Sequence, residues 1–221
     1  CIAEWIIDGE PSIDVWAMDV ARFGDYASPQ YGTIKSSENY ERRFIMTFPN
    51  ETLPKGRTQK TTPIYDIFVN QGAVMGDSFG LENVLWFANN KEDAHEEPTI
   101  KRSRSHDYVS REVINVRENV GLIEVANFSK HEFKGTDARK FLDHVMAGKL
   151  PKPGRISLSP MLSYRGKLCG DLTVACFDEN EFMVFGSGAA QEMHRRWFES
   201  HLDKFDVNYK NRSDEFHGIS I

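Results

Sequence analysis

The stretch LCGDLTVACF, residues 168–177, puts an acid where strands disfavour one. Strand alternation sends Leu168, Gly170, Leu172, Val174 and Cys176 to one face. Cys169, Asp171, Thr173, Ala175 and Phe177 fall on the other. Asp171 therefore projects from mid-strand between small neighbours. A carboxylate there must be solvated, hydrogen-bonded or paired, because burying a bare charge is costly. Two readings follow. The face is open to water, or Asp171 lines a ligand pocket with Thr173 beside it. In a pocket the carboxylate could accept a hydrogen bond from a ligand nitrogen or take its proton.

VFGSGAAQEMHRRW, residues 184–197, runs an apolar strand through Gly186 and Gly188 into a helix. A dinucleotide turn needs a third small residue so that helix and strand can approach, and Gln191 stands there instead. No second strand ending in an acid follows. The glycines fit a tight strand-to-helix turn, or a backbone lying against some other ligand. His131 and His144 read as surface residues of a strand and a helix, and His194 as part of a polar face with Arg195 and Arg196. No histidine spacing suits a metal, and none is expected. Cys1, Cys169 and Cys176 are too few for a disulfide framework or a zinc site and read as reduced thiols. KRSRSHDY, residues 101–108, is a short basic run best read as a solvated segment.

These residues sit in 221, with 40% hydrophobic content and a net charge of −6. That is enough apolar material for a real core. The acidic balance excludes nucleic acid as the main partner, since phosphate neutralisation needs an Arg/Lys excess. No apolar run of about 18 residues exists to span a membrane.

The elements that must position Asp171 and the glycine turn sharpen towards the C-terminus. Helical signals surround Trp5, Trp16 and Phe23, broken by GEPS. Residues 27–63 are polar and rich in Pro and Gly, which predicts an extended strap with one short helix near 38–43. Residues 72–88 suggest short strands and turns, and the acidic stretch 89–100 a surface loop. Val109, Val113, Val116 and Val120 recur at helical spacing, predicting a helix over 107–120. LIEVANF and HEFKG read as strands. Ala138, Phe141, Leu142, Val145 and Met146 make the stripe of a second helix, ended by Gly148. RGKLCGDLTVACF and EFMVF form a hairpin turned by DENE. AAQEMHRRWFESHL is a helix with Ala190, Met193 and Trp197 as its buried stripe. Two-strand units joined by tight turns favour an α+β fold: a mixed or antiparallel sheet with helices on one side. Both ends read as interrupted elements, a helix under way at Cys1 and a strand in HGISI that should continue. A longer parent is expected.

Several motifs in register now point one way. GLIEVANFSKHEFKGTDARKFLDHVMAG, SLSPMLSYRGKLCGDLTVACF and EFMVFGSGAAQEMHRRWF resemble the folate-binding domain of the glycine-cleavage T-protein, an aminomethyltransferase. GDLTV and FHGISI resemble the version fused to flavin enzymes of the dimethylglycine and sarcosine dehydrogenase family. GEPSIDVWAMDVARF resembles the end of that family's flavin domain. ENYERRF, LPKGR and GLENVLWFA resemble its linking domain. The resemblance implies three parts: residues 1–26 as the tail of an FAD-dependent oxidoreductase domain, 27–100 as a small linking domain with short strands, and 101–221 as the first part of the aminomethyltransferase-like domain.

It also implies a function. Such enzymes oxidise an N-methyl amine, an N-methylated glycine for example, to an iminium on FAD. They pass the one-carbon unit to tetrahydrofolate, and an electron-transfer flavoprotein can take the electrons. Asp171 matches the folate-site aspartate. Phe128, Leu158, Thr173, Val184, Gly186 and Ser187 match positions bordering the folate, with Leu158 standing where the family often has tyrosine. By this resemblance the GSG turn clears room beside a folate. The FAD fingerprint lies outside these residues. The compartment expected is the cytoplasm, or the mitochondrial matrix in a eukaryote. The alternatives are a folate-dependent aminomethyltransferase without flavin chemistry and a non-catalytic folate-binding module.

Overall fold

In chain order the elements of the computed structural model are helices α1 (Ile2–Asp8), α2 (Pro29–Glu41) and α3 (Tyr65–Asn70), strands β1 (Ala73–Ser78) and β2 (Leu81–Phe87), and helix α4 (Ser105–Glu118). Strands β3 (Ile123–Glu124) and β4 (Ser129–Lys134) lead to helix α5 (Ala138–Val145). Strands β5 (Arg155–Leu162), β6 (Leu168–Asp178) and β7 (Glu181–Gly186) then precede helix α6 (Gln191–Glu199) and strands β8 (Asn208–Asn211) and β9 (Ile219–Ser220). The structure describes residues 2–49 and 51–221, so Cys1 lies outside the described residues. Helices and antiparallel sheets mix as an α+β fold requires. The chain forms two compact units, Cys1–Gly24 with Phe133–Tyr209, and Asp25–Glu132 with Lys210–Ile221.

The first unit is organised by a five-stranded sheet in the order β5-β6-β7-β4-β8. Its β5–β6 and β6–β7 pairs are antiparallel. The turn between β6 and β7 closes where Asp178 faces Glu181, within the DENE segment. The α5 stripe is the expected one: Ala138, Phe141, Leu142 and Val145 are buried, and Met146 follows them into the core. They meet Leu172, Val174, Phe182 and Val184 from the sheet. Phe133 packs edge-on against Phe198, ring centroids 5.0 Å apart. Burying each such ring contributes about 1.5–3 kcal/mol, which makes this cluster the unit's main source of stability.

Helix α6 departs from its expected stripe. His194 and Phe198 are buried, one turn apart, while Ala190, Met193 and Trp197 are half-buried. Residues before Gly24 pack on its outer side. Trp16 Nε1 donates to the Ala189 carbonyl at 3.2 Å, and Arg196 pairs with Asp19 at 3.4 Å. Trp16, Met193 and Trp197 line an open hollow between them. Periodicity alone cannot foresee that a helix is covered on two sides by different elements.

The second unit holds the β1–β2 hairpin and the small β3–β9 pair. The hairpin turns on Phe79 and Gly80, both with positive φ, at 51° and 78°. That is the two-residue geometry matching strand twist. Residues 29–41 are not a strap: α2 runs thirteen residues from Pro29. Its start is written locally, since the Ser28 hydroxyl accepts from the Tyr31 N–H at 3.2 Å and Pro29 occupies the first turn. Helix α4 spans Ser105–Glu118, but none of its residues is fully buried. Val113 and Val116 stay exposed, while Val109 packs beside Val74, Trp86 and Ala88. LIEVANF contributes only the two residues of β3, whereas HEFKG is a strand as expected, within the six residues of β4.

The motifs ENYERRF, LPKGR and GLENVLWFA are held to one another by buried acids. Glu38 accepts from the Lys55 N–H at 2.8 Å and from Lys35 Nζ at 3.0 Å. Burial pushes the Glu38 carboxyl up, but these donors outweigh it and hold it below its ordinary value. Glu82, buried in β2, receives Arg57 through two nitrogens, Nε at 2.8 Å and Nη2. Arg57 also donates to the Met75 carbonyl at 3.1 Å. These charges serve architecture, tying the segment 38–57 to the hairpin.

Candidate functional site

Strand β6 carries Asp171 because its alternate residues have a core to fill. Leu172, Val174 and Cys176 are buried against α5 and α6, which turns Asp171 and Thr173 to the opposite face. Across the β5–β6 pair Leu158 faces Thr173 and Pro160 faces Asp171. On the other side Thr173 faces Phe185. Leu158, Asp171 and Thr173 thus share one face, of which strand alternation had joined Asp171 and Thr173.

That face is open. Asp171 is exposed and makes no hydrogen bond or ion pair among the described residues. Leu158 is 64% exposed and Ile156 68%, both on the same face. The exposure of Asp171 accords with the open-face reading. What the face offers is a flat wall of apolar side chains with one carboxylate. Such a wall suits a planar heterocycle that stacks on apolar atoms and donates an N–H to the acid.

The other matched positions lie differently. Val184 pairs with Val174 and is fully buried, on the core side of the sheet. Gly186 faces the same way: an added Cβ would meet Leu172 Cδ2 at 2.5 Å and His194 Nδ1 at 2.8 Å. Any contact these two make with a ligand on the Asp171 face is through backbone. Ser187, after the strand end, is exposed. Phe128 is half-exposed and belongs to the other unit.

His194 is the residue that sequence reasoning misplaced. It is 2% exposed, not part of a polar surface. Its ring sits between two glycines, since a Cβ on Gly170 would come within 2.7 Å of Nε2. The missing side chains of Gly170 and Gly186 make room for this imidazole. Burial pushes its pKa below the ordinary value, with a backbone hydrogen bond at Cys169 acting the other way. A signal was present: two strand glycines on the core face of neighbouring strands, opposite a helical histidine. His131 is also fully buried rather than on the surface. Cys169 and Cys176 are free, and burial raises both thiols. Among the described residues no group of His, Cys, Asp and Glu could hold a metal ion. No helix there is long and apolar enough to cross a membrane.

Residues 64–221 match the family described as the GCVT N-terminal domain. The chain belongs to that family. Residues 8–62 match a second family, the FAD dependent oxidoreductase central domain. Mitochondrial dimethylglycine dehydrogenase of Mus musculus is 32% identical over 100% of this chain and 26% of its own length. Mitochondrial sarcosine dehydrogenase of Homo sapiens is 26% identical over 79% of this chain and 22% of its own. The chain thus spans about a quarter of the curated relatives it matches. Among solved structures, the glycine cleavage system aminomethyltransferase T of Bartonella henselae aligns with a TM-score of 0.56 at 20% identity. It covers 69% of this chain and 38% of that one, a likeness of fold.

Proposed function

We propose that these residues act within a flavin-dependent N-methyl amine dehydrogenase of the dimethylglycine or sarcosine type. Its one-carbon product passes to tetrahydrofolate beside Asp171. The observation that carries this reading is the order of the two family matches along one chain, an FAD oxidoreductase central domain at 8–62 followed by a GCVT domain at 64–221.

The residues fit the two cofactors unequally. A flavin needs a strand, a glycine turn and a helix around its pyrophosphate. Among the described residues before 62 there is no strand, so no flavin contact is assigned here. Folate chemistry fits better. Asp171 accepts a hydrogen bond from the folate nitrogen that attacks the iminium, or takes its proton once the carbon–nitrogen bond has formed. Thr173 and Leu158 line the same wall, and the backbone at Val184 to Ser187 borders its end. Phe128 is kept as a proposed apolar folate contact on the strength of the resemblance alone. This reading proposes the three parts 1–26, 27–100 and 101–221, an N-methylated glycine as the amine, and an electron-transfer flavoprotein as the electron acceptor. The compartment is the mitochondrial matrix if the source is eukaryotic, and otherwise the cytoplasm.

The test uses the full-length protein. Its flavin spectrum is recorded while dimethylglycine and sarcosine are titrated in, and tetrahydrofolate-dependent capture of formaldehyde is followed in parallel. Bleaching with capture is expected. Capture without bleaching would select an aminomethyltransferase that lacks flavin chemistry. Folate binding with neither would select a non-catalytic module. Bleaching by no N-methyl amine defeats the dehydrogenase reading.

A further inference from the structure

The second unit holds a hollow whose chemistry differs from that of the face carrying Asp171. It is a cleft of about 820 Å³ between α3, the β1–β2 hairpin, α4 and the β3–β9 pair. Ile67, Phe68, Phe87, Leu122 and Ile219 give it apolar walls. No lysine, arginine or histidine is among its lining residues, but two acids are, Glu112 and Glu124. Glu112 is already engaged, accepting from the Phe87 N–H at 3.2 Å.

Glu124 is not engaged in that way. Its side chain is only 10% exposed. Its Oε1 is buried and accepts no hydrogen bond among the described residues. The nearest cationic group is the His217 imidazole, 3.5 Å away and charged only when protonated. A carboxylate so far removed from water needs a cation or a donor to offset its lost hydration. Coulomb attraction in such an apolar wall is also far stronger than in bulk water.

We propose that this cleft is a binding site for a protonated amine with an apolar body, the ammonium at Glu124 and the body against the isoleucine and phenylalanine walls. The site excludes carboxylates, which would meet two acids and no cation. It is therefore unsuited to the glutamate tail of a folate or to an N-methylated glycine. The inference stands independently of the folate reading, and loss of folate binding would not touch it.

The probes are 2-phenylethylammonium, 2-phenylethanol and phenylacetate, which share one ring and differ in charge. Saturation-transfer NMR and calorimetry on the 221-residue chain read their binding. The ammonium is expected to bind at least tenfold tighter than the alcohol, and phenylacetate not at all. Glu124→Gln should erase the gap between ammonium and alcohol while the alcohol still binds. Should that variant fail to fold, Leu122→Lys, at an exposed position, places a fixed cation at the wall and should abolish ammonium binding. The proposal is overturned if the ammonium binds no tighter than the alcohol, if phenylacetate competes with it, if either folded variant binds it as the parent does, or if no probe binds.

Discussion

The two faces of strand β6 obey the same alternation and have opposite fates. On one, Leu172, Val174 and Cys176 disappear into a core with α5 and α6. On the other, Asp171 stands open beside Ile156 and Leu158. One face carries stability, and the other is free of the core. A core face leaves a side chain no freedom to serve a ligand, because packing already fixes its position and neighbours. The open face has the reverse property: its residues can change without disturbing the fold.

The sharpest way to break this contrast is to truncate one buried ring and one exposed ring. Phe182→Ala, at a fully buried position, should cost about 3–5 kcal/mol in urea unfolding. Phe177→Ala, 57% exposed, should stay within about 0.5 kcal/mol. Equal losses would mean that Phe177 is covered in solution.

A smaller effect is expected where the core face meets α6. Gly186→Ala drives a Cβ against Leu172 and the His194 ring, so it should cost about 1–3 kcal/mol. Adding His194→Ala to it should recover part of that loss, because the ring is one of the two obstacles. If the double variant is simply the sum of two losses, the glycine slot is not what positions the ring.

How much of this was legible beforehand follows from how local each cause is. The α5 stripe and the β6–β7 hairpin were readable, since period and turn residues lie within a few positions of one another. Helix α2 was obscured by nearby prolines and glycines, although Ser28–Pro29 is a start signal that outweighs them. The burial of His194 left only an indirect trace in the sequence. It depends on glycines at 170 and 186, which only the sheet brings together. Asp171 marks a different boundary. Alternation assigned it correctly to the face away from Leu172 and Val174, but no pattern along a strand tells whether that face is covered. Val184 and Gly186 fell on the core side for the same reason of parity, which a register drawn from Asp171 would have given.

Acid titration separates the faces by charge rather than by size. The folded His194 binds its proton less readily than the free imidazole, because of burial. Between its folded value and the ordinary one of about 6.5, the unfolded chain therefore holds more protons. Stability rises with pH across that window. It is fully present above about 6.5 and is lost as pH falls towards the folded value. The difference between the parent and His194→Gln, measured by urea midpoint against pH, should shrink as pH drops through this range. A difference that grows on acidification would mean that the ring gains a partner when charged.

The smallest effect on stability should accompany the largest on the proposed chemistry, at Asp171. Its carboxylate makes no hydrogen bond or ion pair among the described residues, so nothing in the fold depends on it. Asp171→Asn and Asp171→Ala should each unfold within about 0.5 kcal/mol of the parent. The two should part in folate-dependent formaldehyde capture by the full-length protein. The asparagine oxygen still accepts a hydrogen bond but cannot hold a proton, whereas alanine does neither. If Asp171 only orients the folate nitrogen, asparagine keeps most of the rate and alanine loses it. If it removes the proton, both fall together, by about 10²–10⁴, the usual contribution of a positioned base. Unchanged capture in both variants would leave this acid a solvated residue on an open sheet, and the folate would have to meet the chain elsewhere.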